Sequence, residues 1–270
     1  MPASPGVLLA LLLLTAVVIG LAAWGVGAGR RVGLLREAAL VLFAYFAYFA
    51  VRGTTEGDLA SALEHARQIA QLERALGLFV EPALQAAVIG QHWLVTLFNW
   101  IYIWGHWPFI GVVAIWLFYA RPLAYRSFRN AFLISGAIGL AFFMAFPMAP
   151  PRLAEFGLVD TVVEHSNFYR LLQPPQLTNQ YAAFPSLHFG WNLLIGIALI
   201  REAPRLALRA LGVLMPLLML VAIVLTANHY IIDAVAGAIV ALVGLLLARR
   251  IERRRRAPEG TAPEGAASAA

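Results

Sequence analysis

Continuous apolar runs are the feature that most restricts how this chain can fold. Candidate membrane-spanning segments lie at 6–28, 38–52, 95–120, 131–147, 187–201, 208–227 and 229–249. A helix needs roughly 20 apolar residues to cross a bilayer, and these runs lack the alternation of membrane β-barrel strands. Because 61% of the residues are hydrophobic and only 13% are charged, the sequence predicts an all-α, polytopic membrane helical bundle with about six to seven transmembrane helices.

The segment 95–120 allows two interpretations. It is longer than one span requires, and it contains Gly105 and Pro108. Proline removes a backbone donor and kinks a helix. The segment is therefore either one kinked span or a re-entrant piece followed by a span, with His106 either lining a cavity or making a helix-packing hydrogen bond.

Basic residues are distributed unevenly between the two ends of these spans. All 20 are arginine, and 15 of them follow the first, third, fifth and last spans. The positive-inside rule places those loops in the cytoplasm. Arginine without lysine in an Ala-rich chain is typical of a GC-rich bacterial genome, so we expect a multi-pass protein of the bacterial plasma membrane. The basic tail at 249–256 resembles a stop-transfer anchor, and no nucleic-acid partner is expected.

Residues 57–80 have a different, amphipathic pattern. Apolar residues recur at helical spacing, at Leu59, Leu63, Ala66, Ile69, Leu72 and Leu76. Charged residues occupy the other face, namely Asp58, Glu64, Arg67, Glu73 and Arg74. The pattern predicts an outer amphipathic helix, which either lies in the membrane interface or packs over the spans as a cap. The other outer histidines, His65, His92 and His165, are expected to be interfacial and solvated.

Polar residues interrupt the last two apolar runs at Asn228, His229, Tyr230 and Asp233. His229 is predicted at the outer N-terminus of the last span, and Asp233 follows about one helical turn later. A carboxylate there can accept an imidazole N–H, fix its tautomer and raise the basicity of the other nitrogen. An isolated carboxylate in a span is costly, so we expect it to have a partner.

A second polar stretch, NQYAAFPSLHFGWN at 179–192, precedes the fifth span. Ser186 can cap that helix or bind a ligand, and His188 falls at its outer end. The stretch FPMAPPRLAE at 146–155 lies on the same side and carries Arg152, whose guanidinium can bind phosphate oxygens. Helix N-termini present unpaired N–H groups that suit an anion. Together these residues predict phosphoryl transfer, in which one histidine attacks and the other protonates the leaving oxygen.

Two of these motifs resemble those of a known family. PSLH at 185–188, followed by HYIID at 229–233, is similar to the second and third signature motifs of the type 2 phosphatidic acid phosphatase superfamily, which includes the vanadium haloperoxidases. APPR at 149–152, with Ile223 six residues before His229, is closer to the inositol phosphorylceramide synthase-like branch of inositolphosphotransferases. The resemblance covers roughly residues 85–250.

The resemblance implies catalytic roles for three residues. His229 resembles the nucleophile that takes the phosphoryl group, and Asp233 resembles its orienting carboxylate. His188 resembles the general acid for the leaving group. A catalytic pair on two separate spans therefore requires that the two helices begin close together.

Three further residues are candidates for holding the phosphate. Ser186 lies where the family uses a serine for this purpose. The family's first motif requires lysine and is absent, so Arg152, in the APPR that occupies its place, is the candidate phosphate clamp. Asn228, next to the nucleophile, is a further candidate hydrogen-bond donor.

These motifs divide the chain into four parts. We predict an N-terminal transmembrane hairpin at 1–52, an outer amphipathic segment at 53–84, a phosphatase-like membrane catalytic domain at 85–250 and a disordered cytoplasmic tail at 251–270. The tail assignment rests on its low-complexity composition.

The predicted function is that of a membrane lipid-phosphate phosphatase or phosphotransferase. It acts on phospholipid or polyprenyl phosphates at the outer leaflet through a phosphohistidine, and its partners are membrane lipid and the phosphorylated lipid substrate. No metal or cofactor is expected, because the acidic and histidine residues do not form a ligand set. Two alternatives stay open: a haem or metal-binding membrane protein that uses His188 and His229 as ligands, and a non-catalytic lipid-binding scaffold.

Overall fold

The computed structural model describes residues 33–44, 46, 58–162 and 179–256, and within these residues the protein is built from helices. Residues 33–44 are helical, and a short 3-10 turn covers Pro151–Leu153. The remaining helices are α1 (Leu59–Leu76), α2 (Glu81–Val88), α3 (His92–Trp104), α4 (Trp107–Ala120), α5 (Pro122–Ala145), α6 (Leu187–Glu202), α7 (Leu206–Leu225) and α8 (Ile231–Arg256). The predicted all-α membrane bundle is confirmed.

Three helices of the described part are long and apolar enough to cross a membrane, namely α5, α7 and α8. The pair α3 and α4 is bent by 43° and counts as a fourth span if both helices form one broken segment. That bend fits both interpretations of 95–120. The predicted span 6–28 lies outside the described residues, as do residues 45 and 47–52 of the predicted span 38–52.

The predicted boundaries agree closely for α6 and α7. Helix α8 continues to Arg256, seven residues past the predicted end of its span at 249 and into the predicted tail, and α5 begins nine residues before the predicted span at 131–147. Pro122 occupies its first turn, where proline's missing N–H costs no hydrogen bond. Arg129 lies within this extension and forms an ion pair with Glu37 of the 33–44 helix. The predicted span began at 131, after Arg126 and Arg129, because hydropathy detects where the apolar run begins and not where the helix begins.

Helix α6 lies at the centre of the bundle, in contact with α5, α7 and α8. Its residues Trp191, Leu194 and Ile195 are buried, and the Trp191 indole N–H donates to Ser135 Oγ of α5 at 3.0 Å. Gly190 of α6 faces Gly237 of α8, and a Cβ on either glycine would collide with the other helix's backbone. Small residues at such a crossing let two membrane helices approach closely, which brings the starts of α6 and α8 together.

The two ends of the bundle differ in chemistry. Helices α5 and α7 end, and α6 and α8 begin, at what we call the site end, where residues 146–155, 179–186 and 226–230 connect them. At the opposite, arginine end, Arg121 lies 3.9 Å from Glu202, and the Asn130 amide donates to Glu252 at 3.0 Å. The arginine-rich loops of the described chain therefore meet at the end away from the predicted site.

Helix α1 caps the site end, but with a different face from the one predicted. Its fully buried residues are Ala62, Ala66, Ala70 and Glu73, whereas Leu59, Leu72 and Leu76 are about half exposed. The small alanines allow close backbone approach, since Ala149 N–H donates to Ala62 O at 3.0 Å. The assignment of Glu73 to the charged outer face was therefore wrong, and α1 does pack over the site end as the cap interpretation predicted.

His65 also departs from the prediction that it is solvated. Its imidazole stacks on Phe146, with ring centroids 3.9 Å apart, and its Nδ1 lies 2.7 Å from the Pro147 carbonyl. His92 is exposed, as expected, and His165 lies outside the described residues. His65 thus helps to fix α1 against the segment that carries the predicted phosphate clamp.

Candidate active site

The turn between α7 and α8 places His229 at the site end. Ala227 adopts a left-handed conformation, with φ of 53°, which ends α7 and reverses the chain. The backbone N–H groups of Asn228 and His229 both donate to Ile223 O, at 3.0 and 3.1 Å. Because these bonds tie the turn to the last turn of α7, His229 is held before α8 begins at Ile231.

The His229 ring is oriented mainly by a backbone carbonyl. Its Nδ1 lies 2.8 Å from Ala183 O and 3.4 Å from Asp233 Oδ2. A carbonyl can only accept, so Nδ1 carries the proton and the neutral ring has its lone pair on Nε2. The predicted carboxylate partner is in place, but it is the longer of the two contacts.

Asp233 joins the two helix starts instead of serving only the imidazole. Its side chain is fully buried, and its Oδ2 accepts from Tyr230 N–H at 3.0 Å. Its backbone carbonyl accepts from Ser186 N–H at 2.9 Å. Asp233 therefore fixes the first turn of α8 and ties it to the residue that begins α6.

His188 lies close to His229 and to a third histidine. The centroid of its ring is 5.6 Å from that of His229 and 4.2 Å from that of His106, and the ring stacks on Tyr102 at 4.5 Å. Ser186 caps α6, because its Oγ accepts from the Phe189 N–H at 3.4 Å. The cap sets the direction of the first turn of α6, from which His188 extends toward His229.

Arg152 is held beside the histidines by two side chains. Its Nε lies 2.7 Å from Asp160 Oδ2, and its Nη1 donates to Asn228 Oδ1 at 2.6 Å. Its backbone N–H donates to Ala227 O at 3.0 Å. Asn228 in turn donates its amide to Thr226, at 2.9 Å to the hydroxyl. The geometry gives Asn228 the role of orienting Arg152, while its predicted contact with phosphate stays a prediction.

These residues surround one small cavity of about 50 Å³. Of the predicted site residues, His188, His229, Arg152 and Asn228 line it. Other lining residues are Tyr102, His106, Trp107, Asn179, Gln180 and Trp191. Ser186 and Asp233 are fully buried behind this wall and support it. The cavity thus combines two imidazoles, one guanidinium and amide groups, the set that a phosphoester requires.

The start of α8 is not a free anion site, contrary to prediction. The N–H of Ile232 donates to Glu73 Oε1 at 2.8 Å, and the N–H of Ile231 donates to Glu81 Oε1 at 3.2 Å. Tyr230 N–H is bonded to Asp233. Because carboxylates occupy these N–H groups, they are not available to a phosphate.

Sequence reasoning missed several supporting residues. Asp160 and Glu81 act across long sequence separations, and a lone carboxylate in a loop or short helix gives no local signal. Asn192, buried in α6, donates to His188 O at 3.0 Å and lies 3.3 Å from His106 Nδ1. Its spacing of four residues from His188 was visible in the sequence. His106 itself lines the cavity and contacts Asn192, so both of its open interpretations hold.

A second, apolar cavity adjoins the first. It has a volume of about 320 Å³ and lies between α4, α5, α6 and the 33–44 helix. Trp107 and Trp191 line both cavities, and their rings meet edge to face with centroids 5.2 Å apart. A polar pocket and a hydrocarbon-lined space therefore share one aromatic wall.

The haem or metal alternative depends on which possible metal ligands lie near His188 and His229. Across 33–44, 58–162 and 179–256, no group of three or more His, Asp or Glu side chains is placed to hold a metal ion. Nδ1 of His229 contacts Ala183 O and Asp233 instead. Within the described residues, the haem or metal alternative therefore depends on His188 and His229 without a third ligand beside them.

Comparison with known families gives one match. Residues 67–247 match the family described as the PAP2 superfamily. Comparison with curated proteins found no match, and comparison with solved structures found none either. The match begins within α1 and ends within α8, so it contains the cap, the cavity and both histidine-bearing helices.

Proposed function

Because this chain belongs to the PAP2 superfamily, we propose that it is a membrane phosphatase or phosphotransferase that cleaves a lipid phosphoester through a phosphohistidine at His229. The observation that carries the proposal is the meeting of two imidazoles across one cavity. His188 and His229 lie 5.6 Å apart by ring centroid, and Arg152 lines the same space. A nucleophile and an acid on separate helices match the needs of a displacement at phosphorus.

In the first step Nε2 of His229 attacks phosphorus. The bond from phosphorus to the leaving oxygen breaks as the N–P bond forms, and His188 transfers a proton to that oxygen. Ala183 O keeps the proton on Nδ1 and stabilises the positive charge that develops on the ring. Arg152, held by Asp160 and Asn228, offsets charge on the phosphoryl oxygens.

In the second step an acceptor removes the phosphoryl group. Its hydroxyl oxygen attacks phosphorus, the N–P bond breaks, and His188 accepts the hydroxyl proton and so returns to its starting state. Water as the acceptor makes the protein a phosphatase, and an alcohol makes it a phosphotransferase. The APPR motif at 149–152 supports the inositolphosphotransferase-like alternative.

The apolar cavity supports a substrate with a hydrocarbon tail. A phosphate in the polar cavity places the attached chain beside Trp107 and Trp191, which border the apolar cavity. An apolar lining of this kind can receive a hydrocarbon chain from the bilayer without exposing it to water. A phospholipid or polyprenyl phosphate satisfies both cavities, and a small sugar phosphate satisfies one.

The distribution of arginine supports a site at the outer leaflet. The described loops rich in arginine gather at the arginine end, and the cavity lies at the site end. If the positive-inside rule holds for this chain, the cavity opens on the extracytoplasmic side.

Lipid phosphate turnover by purified protein tests the proposal. Wild type in proteoliposomes is incubated with phosphatidic acid or a polyprenyl phosphate, with and without inositol, and both free phosphate and phosphorylated inositol are measured. We expect product from wild type and from His92→Ala, an exposed control, and none from His229→Ala. Product formation by His229→Ala at the wild-type rate would refute the nucleophile assignment, and free phosphate as the only product would refute transfer to inositol.

A further inference from the structure

Two carboxylates from outside the cavity hold the start of the nucleophile's helix. Glu73 of α1 accepts from Ile232 N–H at 2.8 Å, and Glu81 of α2 accepts from Ile231 N–H at 3.2 Å. Both side chains are fully buried. These residues stand about 150 positions before α8 in the sequence, so the contacts are made by tertiary structure and not by a local capping motif.

The two carboxylates also interact with each other. Oε2 of each is buried with no hydrogen-bond partner in the described chain. Two ionised carboxylates side by side in a buried site repel each other, so the site favours a proton on one of them. Burial, assisted by the neighbouring Glu81, raises the pKa of Glu73 to about 8. Glu73 is thus protonated at neutral pH.

The groups around this pair reinforce that state. Asp233 and Tyr230 face it from the start of α8, and Arg74 is near Tyr230 on the α1 side. The neighbouring Glu81 is the carboxylate whose charge opposes ionisation of Glu73. Loss of the proton would place adjacent negative charges beside the turn that carries His229.

Helix α2 extends the same support to the end of α7. The buried Gln85 donates to Leu225 O at 3.1 Å and to Val159 O at 2.9 Å, and its Oε1 accepts from Val159 N–H at 2.8 Å. Glu81 and Gln85 are one helical turn apart. One helix therefore fixes both sides of the α7–α8 turn and the loop that leads to Asp160.

We propose that Glu73 and Glu81 are positioning residues for the nucleophile: by accepting from Ile232 and Ile231 N–H they fix the first turn of α8 and thereby the orientation of His229. This inference rests on the proposed role of His229. On this proposal α1 and α2 contribute to catalysis by positioning His229, although neither glutamate lines the cavity. It also couples turnover to one buried proton outside the reacting groups.

Steady-state kinetics of Glu73 variants from pH 6 to 9.5 test the proposal. The substrate is an aryl phosphate, whose leaving oxygen needs little protonation, so His188 contributes little to the alkaline side of the profile. We expect wild-type kcat to fall above about pH 8, as Glu73 loses its proton. Glu73→Gln, which keeps one donor and one acceptor, should retain kcat within about threefold at pH 7 and lose the alkaline fall.

Glu73→Ala should lower kcat by more than about tenfold and change KM by less than about twofold. The control is Glu64→Gln, on the exposed face of α1, which should match wild type in kcat, KM and pH profile. Wild-type kcat in Glu73→Ala, or an unchanged alkaline fall in Glu73→Gln, would overturn the proposal. If Glu73→Ala does not accumulate, the pH profile of Glu73→Gln decides alone.

A measurement independent of turnover separates this proposal from the proposed function. The ¹⁵N signals of His229, assigned by their loss in His229→Ala, report the ring's tautomer and environment. We expect Glu73→Ala to shift them and Glu73→Gln to leave them near wild type. An inactive wild type with this pattern would refute the enzymatic proposal alone, and unshifted signals in Glu73→Ala with an active wild type would refute the positioning role alone.

Discussion

The two helices that carry the histidines begin in different ways. Helix α6 is capped by its own Ser186, whose Oγ accepts from Phe189 N–H. Helix α8 is held by Glu73 and Glu81 from α1 and α2. The helix that carries His188 therefore uses a local cap, and the helix that His229 precedes depends on residues far away in the sequence.

This difference fits the roles proposed for the two histidines. A nucleophile must reach phosphorus in line with the leaving group, and a small misplacement lowers the rate strongly. The remote and buried support of α8, together with the Ala183 carbonyl on His229 Nδ1, is consistent with that demand.

The largest expected effects on kcat come from replacing the two histidines, and the two variants should differ in how the loss depends on the substrate. His229→Ala should lower kcat by about 10⁴-fold or more with every substrate, because no other group forms the N–P bond. His188→Ala should lower it by about 10²- to 10⁴-fold with a lipid phosphate and far less with an aryl phosphate. Rates of both variants with the two substrates check this. Equal losses for His188→Ala with both substrates would contradict its role as the acid.

A smaller effect is expected from separating the two helix starts. Gly237→Val would place side-chain atoms against the Ser186 backbone and push α6 from α8. Overpacking of this kind costs about 1–3 kcal/mol, and turnover should fall with stability. Thermal unfolding and kcat are the readouts. Gly111→Val on α4, where an added Cβ meets nothing within 4 Å, is the matched control, and equal behaviour of the two variants would contradict the close contact.

Glu73, which holds the start of α8, also predicts that the stability of the protein depends on pH. Folding raises the pKa of Glu73 from 4.5 to about 8, chiefly by burial. The folded protein therefore binds this proton more tightly than the unfolded chain. Its stabilising contribution is complete below about pH 4.5 and is lost as pH rises to about 8. Thermal unfolding should show a Tm several degrees higher at pH 6 than at pH 9 for wild type, with a clearly smaller difference for Glu73→Gln.

The smallest effect concerns the local cap of α6. Ser186→Ala removes one N-cap acceptor and should cost about 1 kcal/mol of stability. The Ser186 N–H bond to Asp233 O does not depend on the side chain and remains. Chemical denaturation measures the change, and kcat should fall less than in Glu73→Ala. A larger loss of kcat in Ser186→Ala would reverse the proposed order of the two helix starts.

The contrast between the local cap of α6 and the remote support of α8 also explains which features the sequence could predict. The apolar runs located the starts of α6, α7 and α8 within about two residues, and the Ser186–His188 and His229–Asp233 spacings identified residues that the fold does bring together. Local spacing could not show that Ala183 is the nearer partner of His229. Nor could it distinguish the buried Glu73 from a solvated one, because alanines and not leucines face the bundle in α1. Those facts depend on how distant helices pack.

Trapping of the covalent intermediate tests the central claim most directly. Protein is mixed briefly with a ³²P-labelled lipid phosphate, denatured, and digested to locate the label. We expect an acid-labile, base-stable phosphoryl group on the peptide that contains His229, increased in His188→Ala with an aryl phosphate and absent in His229→Ala. Label on another residue, or label that persists in His229→Ala, would contradict the assignment of His229 as the nucleophile.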